Sequence, residues 1–323
     1  MHPITRKLFL YNIVLLAGCQ SGTVEAASSS KGTVSLSYIA RLYSMRLSKS
    51  SDRMRLENKW NRVEFEVNSR RAWINGVMFW LHHPCRGSGN NWSIKEVDFK
   101  KGIDPVLRSY AHVPKRVPQM VVLDPGHGGK DTGAIGPSKI REKDIVLDIS
   151  YRVRKLLEAR KIPVRMTRTS DSLPSLEQRT DYAYKVGADL FISIHADGAG
   201  DPSAHGVETF ITTAAGCESS NHYGQGGDTS ARKNNQYDAA NAVLGFSLQS
   251  NHVKATGRSD RGLRRARFAV LKNAPCPAAL VESGFLTNPA EENLLNSSSY
   301  RDNVARGIAN GIFGYFTLIK RAK

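Results

Sequence analysis

The chain has 323 residues, 40% of them hydrophobic, enough to bury a sizeable core in one or two domains. Lys and Arg number 46 against 29 Asp and Glu, a formal charge of +17. That charge means either a soluble basic surface or attraction to a polyanion: nucleic acid, anionic lipid or an acidic wall polymer. No zinc-finger, RNP-type or helix-turn-helix signature is present, so nucleic acid is set aside as a partner.

At the start, Arg6 and Lys7 precede an apolar run from Leu8 to Leu16, interrupted only by Asn12 and too short to span a membrane as a helix. Leu16-Ala17-Gly18-Cys19 follows. A basic start, an apolar middle, small residues and a cysteine resemble a bacterial lipoprotein signal. The resemblance implies cleavage after residue 18, a diacylglycerol on Cys19, and hence a membrane anchor outside the cytoplasm. Gln20, rather than Asp, follows the cysteine. This implies the outer membrane, facing the periplasm. The alternative is an ordinary signal cut later, near Ala26-Ala27. Cys85, Cys217 and Cys276 then remain, and the sequence does not choose a pair among them. Residues 19–32 are Ser/Ala/Gly-rich and read as a tether.

Residues 33–108 read as a small mixed α+β domain. Val34, Leu36, Ile39, Ala40, Tyr43 and Leu47 suit one helix face over Thr33–Leu47. Val63, Phe65 and Val67 alternate with Glu64 and Glu66, a half-buried strand, and Ala72–Leu81 returns as its hairpin partner. Its layout is faintly similar to the small N-terminal domain of copper amine oxidases, which also occurs on wall enzymes. Wall or partner binding is its expected role. Adjacent His82 and His83 would point to opposite faces of a strand, which disfavours a shared metal. Residues 109–118, with Pro114, Lys115 and Arg116, read as a linker.

From residue 119 strands and helices alternate. Strands are expected over Met120–Asp124, Pro163–Thr167, Asp189–His195, Val207–Ile211, Phe268–Leu271 and Ala278–Val281. Helices are expected over Glu142–Arg160, Leu176–Val186, Asn235–Thr256 and Tyr300–Ile319. This order implies an α/β fold with a mostly parallel sheet covered on both faces.

Three strand ends deliver ionisable groups into loops: His127 in DPGHGG, His195 in SIHAD and Glu282 in LVESGF. Glu142 opens the helix after the first strand. Parallel sheets place their sites at such edges. Catalytic zinc commonly takes three His or carboxylate ligands and leaves a position for water, and a fourth group could take the water's proton. Spacing alone leaves other readings open: His127 capping a turn, His195 as a hydrogen-bonded strand-end histidine, and Glu282 paired with Arg264 or Arg265.

DPGHGGKDTGAIG, then Glu142, then FISIHAD, then DRGLRRARFAVLKNAPCPAALVESGFLTNPAEE resemble the zinc-dependent N-acetylmuramoyl-L-alanine amidases of the amidase-3 family, over about residues 119–317. The resemblance implies a largely parallel six-stranded sheet flanked by helices in residues 119–323. It implies one Zn2+ held by His127, Glu142 and His195, with Glu282 catalytic and Asn288 a turn residue. The implied substrate is peptidoglycan, at the amide joining N-acetylmuramic acid to L-alanine. Arg264, Arg265 or Arg267 could meet stem-peptide carboxylates. A zinc peptidase acting on the stem peptide would use the same site. A serine nucleophile at Ser230 lacks its KTG-type partner, since Lys254-Ala255-Thr256-Gly257 carries an extra residue. A non-catalytic wall-binding lipoprotein is the remaining alternative. Regulated relatives carry an inhibitory helix after the fourth strand. Thr212–Lys233 here has no apolar stripe with which to dock one. The cleft is therefore expected to be open, and an activator protein is not required.

Overall fold

The computed structural model describes residues 32–114 and 119–322. The expected signal, Cys19 and all but the last residue of the tether lie outside the described residues. The chain begins with β1 (Thr33–Ser35) and α1 (Leu36–Leu42), where the Ser35 hydroxyl accepts from the Tyr38 amide and caps the helix. An antiparallel meander follows: β2 (Arg46–Ser50), β3 (Arg53–Glu57), β4 (Arg62–Glu66), β5 (Arg71–Ile74) and β6 (Val77–Trp80). The expected single return over Ala72–Leu81 is thus two strands. Asn75 and Gly76 turn the chain between them at φ of 51° and 84°, the left-handed pair that a tight hairpin needs. The helix expected over Thr33–Leu47 is shorter, because β1 and β2 occupy its ends.

β7 (Arg86–Ser88) and β8 (Asn91–Lys95) join β1 in a separate three-stranded sheet. Then come α2 (Glu96–Asp98), a π-helical turn over Phe99–Ile103, α3 (Asp104–Leu107) and α4 (Ser109–His112). Part of the expected linker is therefore helical. Pro105 lies inside this continuous helical run, and the Lys101 carbonyl four residues before it, which a proline cannot serve, accepts from Arg265 at 3.0 Å instead.

The second half contains β9 (Val121–Pro125), α5 (Glu142–Glu158), β10 (Val164–Met166), α6 (Leu176–Lys185), β11 (Leu190–His195) and β12 (Val207–Thr212). It continues with α7 (Asp238–Thr256), β13 (Asp260–Ala266), α8 (Ala269–Lys272), β14 (Ala278–Glu282), α9 (Pro289–Asn296) and α10 (Ser298–Arg321). Phe268–Leu271, expected as a strand, is mostly the short helix α8. The strand is the preceding DRGLRRA, whose arginines hide its alternation. Its Leu263 and Arg265 side chains are buried on one face, while Arg264 lies on the other.

Six strands run in the order β10-β9-β11-β14-β12-β13, all parallel except β12 against β14. This is the expected mostly parallel six-stranded sheet. It does not end at β13. β6 pairs with β13 in parallel through Phe79 and Leu263, and the meander carries the sheet to eleven strands. One face packs on α5, α7, α10 and α1, and its core runs unbroken from Val121, Ile192 and Val281 through Leu263 to Phe79, Val63 and Leu56. On the other face α6 and α8 cover Val122, Phe191, Phe210 and Leu280. Glu282 and His195, at the C-terminal ends of β14 and β11, pair in register.

Candidate metal centre

The apolar strand β9 ends at Asp124-Pro125, and Gly126 passes the chain into His127, which is left-handed at φ 59°. A non-glycine residue rarely holds that conformation without support from its surroundings. The support is a pair of buried guanidinium groups. Arg179 donates to the Asp124 carboxylate at 2.8 Å and to the carbonyls of Pro125 and His127, both at 2.7 Å. Arg168 donates to the carbonyls of Pro125 at 3.0 Å, Gly126 at 2.7 Å and Lys143 at 2.8 Å. Asp124 also accepts from Thr167 and Ser193. The sequence reading missed these residues, because an arginine in a loop, as Arg168 is, or on an amphipathic helix, as Arg179 is, looks like one facing water.

The glycines of DPGHGGKDTG make room. A Cβ on Gly126 would lie 2.2 Å from the His195 ring, and one on Gly133 would lie 2.5 Å from Glu142 Oε2 and 2.7 Å from the His127 ring. Into that space project His127, Glu142 and His195. Glu142, the first residue of α5, is buried at a helix N-terminus, where a negative charge is favoured. Its Oε1 lies 3.1 Å from His127 Nε2 and 3.0 Å from His195 Nδ1. The backbone amides of Ala134 and Ala196 donate to its two oxygens and fix the carboxylate. The ligand-type atoms of the three side chains all lie within 4.8 Å of one another, the one such group among the described residues. His127 Nδ1 is backed by Asp131 Oδ2 at 2.9 Å, the carboxylate support typical of a metal-bound imidazole. Two imidazole nitrogens and a carboxylate oxygen suit Zn2+, with space left beside them for water.

Burial opposes charge on both partners here, yet their mutual contacts prevail. Glu142 is held well below the usual carboxylate range by hydrogen bonds with His127 and His195, despite its burial. His127 is raised above its ordinary value by Glu142 and Asp131, again against burial.

Glu282 completes the arrangement from β14. It is 7% exposed, and its Oε2 has no hydrogen-bond partner among the described residues. Burial first, then the neighbouring carboxylates of Asp197, Glu142 and Glu208, push its pKa well above the ordinary value. Asp197 is likewise pushed up to about 6, by burial and by Glu208. Glu208 sits directly opposite Glu282 on β12 and pairs with Arg261 at 3.1 Å and Arg264 at 3.3 Å. Glu282 therefore has no arginine partner of its own, and the reading that paired it with Arg264 or Arg265 fails.

A cleft of about 720 Å³ opens over these groups, walled by Leu173, Leu176, Phe268 and Val270. The arginines expected at its rim lie elsewhere. Arg264 turns to Glu208, Arg265 is fully buried and donates to the Lys101 carbonyl, and Arg267 donates to the Ala214 carbonyl. No residue of 213–233 lines the cleft, and the Glu218 carboxylate is held by the Gly224 and Gly226 amides. His82 is buried against Asp98 at 2.9 Å, while His83 faces Cys217, so the pair shares no site. Cys85, Cys217 and Cys276 are buried and unpaired. Asn288 caps α9 by accepting from the Ala290 and Glu291 amides.

Residues 121–313 match the sequence model of the N-acetylmuramoyl-L-alanine amidase family. The chain is 38% identical over 220 residues to the amidase AmiA of Salmonella typhimurium, covering 61% of this chain and 76% of the relative. The catalytic domain of the amidase CwlV from Bacillus (Paenibacillus) polymyxa aligns at 33% identity and a TM-score of 0.52, over 62% of this chain and 99% of that domain. The CwlD amidase of Clostridioides difficile, solved in complex with the GerS lipoprotein, aligns at 25% identity and a TM-score of 0.52, over 62% of this chain and 98% of CwlD.

Proposed function

The chain belongs to the N-acetylmuramoyl-L-alanine amidase family and is a peptidoglycan amidase, and from that premise we propose that it works with one Zn2+ held by His127, Glu142 and His195, with Glu282 as its proton-transfer group. The scissile bond joins the lactyl group of N-acetylmuramic acid to L-alanine of the stem peptide. The supporting observation is the convergence of those three side chains within 4.8 Å, beside a buried glutamate with an unpartnered oxygen. Zinc bound there would lower the pKa of its water and polarise the amide carbonyl. Arg168 and Arg179 hold the His127 turn from behind, so that the imidazole does not have to be ordered when a ligand arrives. Asp131 fixes the His127 ring. Glu282, buried beside the cluster with an oxygen free of other partners among the described residues, would accept a proton from water and deliver it to the departing amine nitrogen. Leu173, Leu176 and Phe268 offer an apolar wall beside these groups for the uncharged parts of the substrate.

Glu282→Gln keeps the shape and removes the base. It should retain the metal and lose turnover by about a hundredfold or more. His195→Ala should lose metal, as read by elemental analysis. Full metal retention in both His127→Ala and His195→Ala would defeat the ligand assignment. Products from purified peptidoglycan identify the bond: free stem peptides beginning with L-alanine mark the amidase, and shortened stems would mark a zinc peptidase.

The same reading places the enzyme in the periplasm, tethered to the outer membrane through lipid on Cys19, with residues 1–18 removed, 19–32 as tether and 33–108 serving wall binding. The 109–118 stretch joins that part to the catalytic residues 119–323. Cys19→Ala should move the protein from the membrane fraction to the soluble one. The cleft is open, so activity does not require an activator. CwlD, solved in complex with the GerS lipoprotein, is the precedent for a protein partner.

A further inference from the structure

The sheet face that carries Glu282 does not stop at the catalytic half. Glu282 pairs in register with Glu208 on β12, and Glu208 with Gly262 on β13. A Cβ on Gly262 would lie 2.9 Å from Met78 and 3.0 Å from Trp80, so these two side chains lie over that strand on the same face. Met78 pairs with Trp73 on β5. One cross-strand row therefore runs from Glu282 to Trp73, four strand spacings or roughly 19 Å away. α6 and α8 cover this face only over the strands of the catalytic half.

Along this face arginines are stacked on aromatic rings. Arg261 lies 4.5 Å from the centre of Phe285, Arg264 4.9 Å from Trp80, Arg70 4.2 Å from Tyr223, and Arg53 4.0 Å from Trp73. Arg261 and Arg264 turn their N–H groups to Glu208, and the buried Arg70 donates to the Leu81 carbonyl, whereas Arg53, ordered in advance by its stack on Trp73, keeps its N–H edge for a carboxylate. Residues 46–80 carry eight Lys and Arg against four Asp and Glu. Arg55 and Arg71 are balanced by Glu64 and Glu66, whereas Arg53 rests on Trp73. Peptidoglycan offers the complementary chemistry, a polymer whose stem peptides repeat free carboxylates along one strand.

We infer that the open end of this arginine–aromatic ladder, Arg53 stacked on Trp73, is a second binding surface for the peptidoglycan strand whose amide lies at Glu282, taking the carboxylate of a neighbouring stem peptide. The inference rests on the substrate class proposed above, and binding to the wall polymer tests it apart from catalysis. The full chain carrying Glu282→Gln is sedimented with intact sacculi and with glycan strands stripped of their stem peptides. Intact sacculi should be bound about tenfold more tightly than stripped strands, with the advantage reduced by added salt. Arg53→Ala, and separately Trp73→Ala, should each weaken binding to intact sacculi by about fivefold to tenfold. Arg53 lies at the surface, so its variant should retain the parent's melting temperature. Equal binding to intact and stripped polymer, or Arg53→Ala binding as the parent does, would overturn the ladder. Absence of hydrolysis by the unmutated enzyme would defeat the amidase reading and leave this binding result to be read on its own.

Discussion

The two halves of the eleven-stranded sheet solve the problem of charge in opposite ways. In the catalytic half, ionised groups are taken inside: Asp124 with Arg179, and Glu142 behind two partly exposed imidazoles, the two carboxylates and the guanidinium nearly inaccessible to water. In the meander, charges stay on the open face as cross-strand pairs such as Arg55–Glu64 and Arg71–Glu66. Buried pairs are ruinous to break, because the survivor is left without water. Exposed pairs contribute little, because water replaces the partner. The catalytic half therefore uses charge to fix geometry, and the meander uses it as adjustable surface.

The comparison can be broken most severely by separating the halves. Residues 119–323 alone would expose Leu263 and leave Arg265 without Phe79 and the Lys101 carbonyl. That fragment should lack the cooperative urea transition of the full chain, read by circular dichroism. A fragment as stable as the parent would show that the sheet joint is dispensable. Next in size, Arg179→Ala should destabilise the full chain by about 3–5 kcal/mol, since Asp124 stays buried. It should also lower turnover as the His127 turn loosens. Chemical denaturation and an activity assay measure the two effects.

A graded effect comes from pH. Burial, with Arg265 beside it, pushes His82 down to about 4, and burial alone pushes His252 down to about 3. Both folded values lie below the ordinary histidine value near 6.5, so the unfolded chain takes up these protons first. Stability should be intact above pH 6.5 and fall progressively as pH drops towards 4. Asp104, held well below the usual carboxylate range by His112, Arg108 and Tyr43 despite its burial, adds to the loss at still lower pH. His82→Gln should flatten part of the slope between pH 6.5 and 4 in melts across that range. Smallest of all, Arg55→Ala removes a pair whose arginine is 36% exposed and should change stability by no more than about 1 kcal/mol. A loss as large as that of Arg179→Ala would end the distinction between the halves.

Legibility in the sequence followed the physics of each element. β9, β11 and β14 were readable because a strand buried on both faces must be apolar throughout, and an ionisable residue at its end stands out against that run. β13 was not, because its arginines find partners only in the tertiary structure: Glu208 for Arg264, and the Lys101 carbonyl for Arg265. The hairpin turn at Asn75-Gly76 did carry a local signal, the Asn-Gly pair, which the apolar run around it obscured.

The sequence by itself determined the alternating α/β order, a mostly parallel sheet and the four ionisable residues at strand and helix ends, since each depends on local pattern and on where a buried strand must stop. The count of six strands came from the family resemblance, and the strand β13 was not read. Only the tertiary structure decided that β6 continues the sheet, that Arg168 and Arg179 hold the His127 turn, and that Glu208 faces Glu282. Those pairings join residues 43 to 184 positions apart, and no local periodicity records which strand lies beside which.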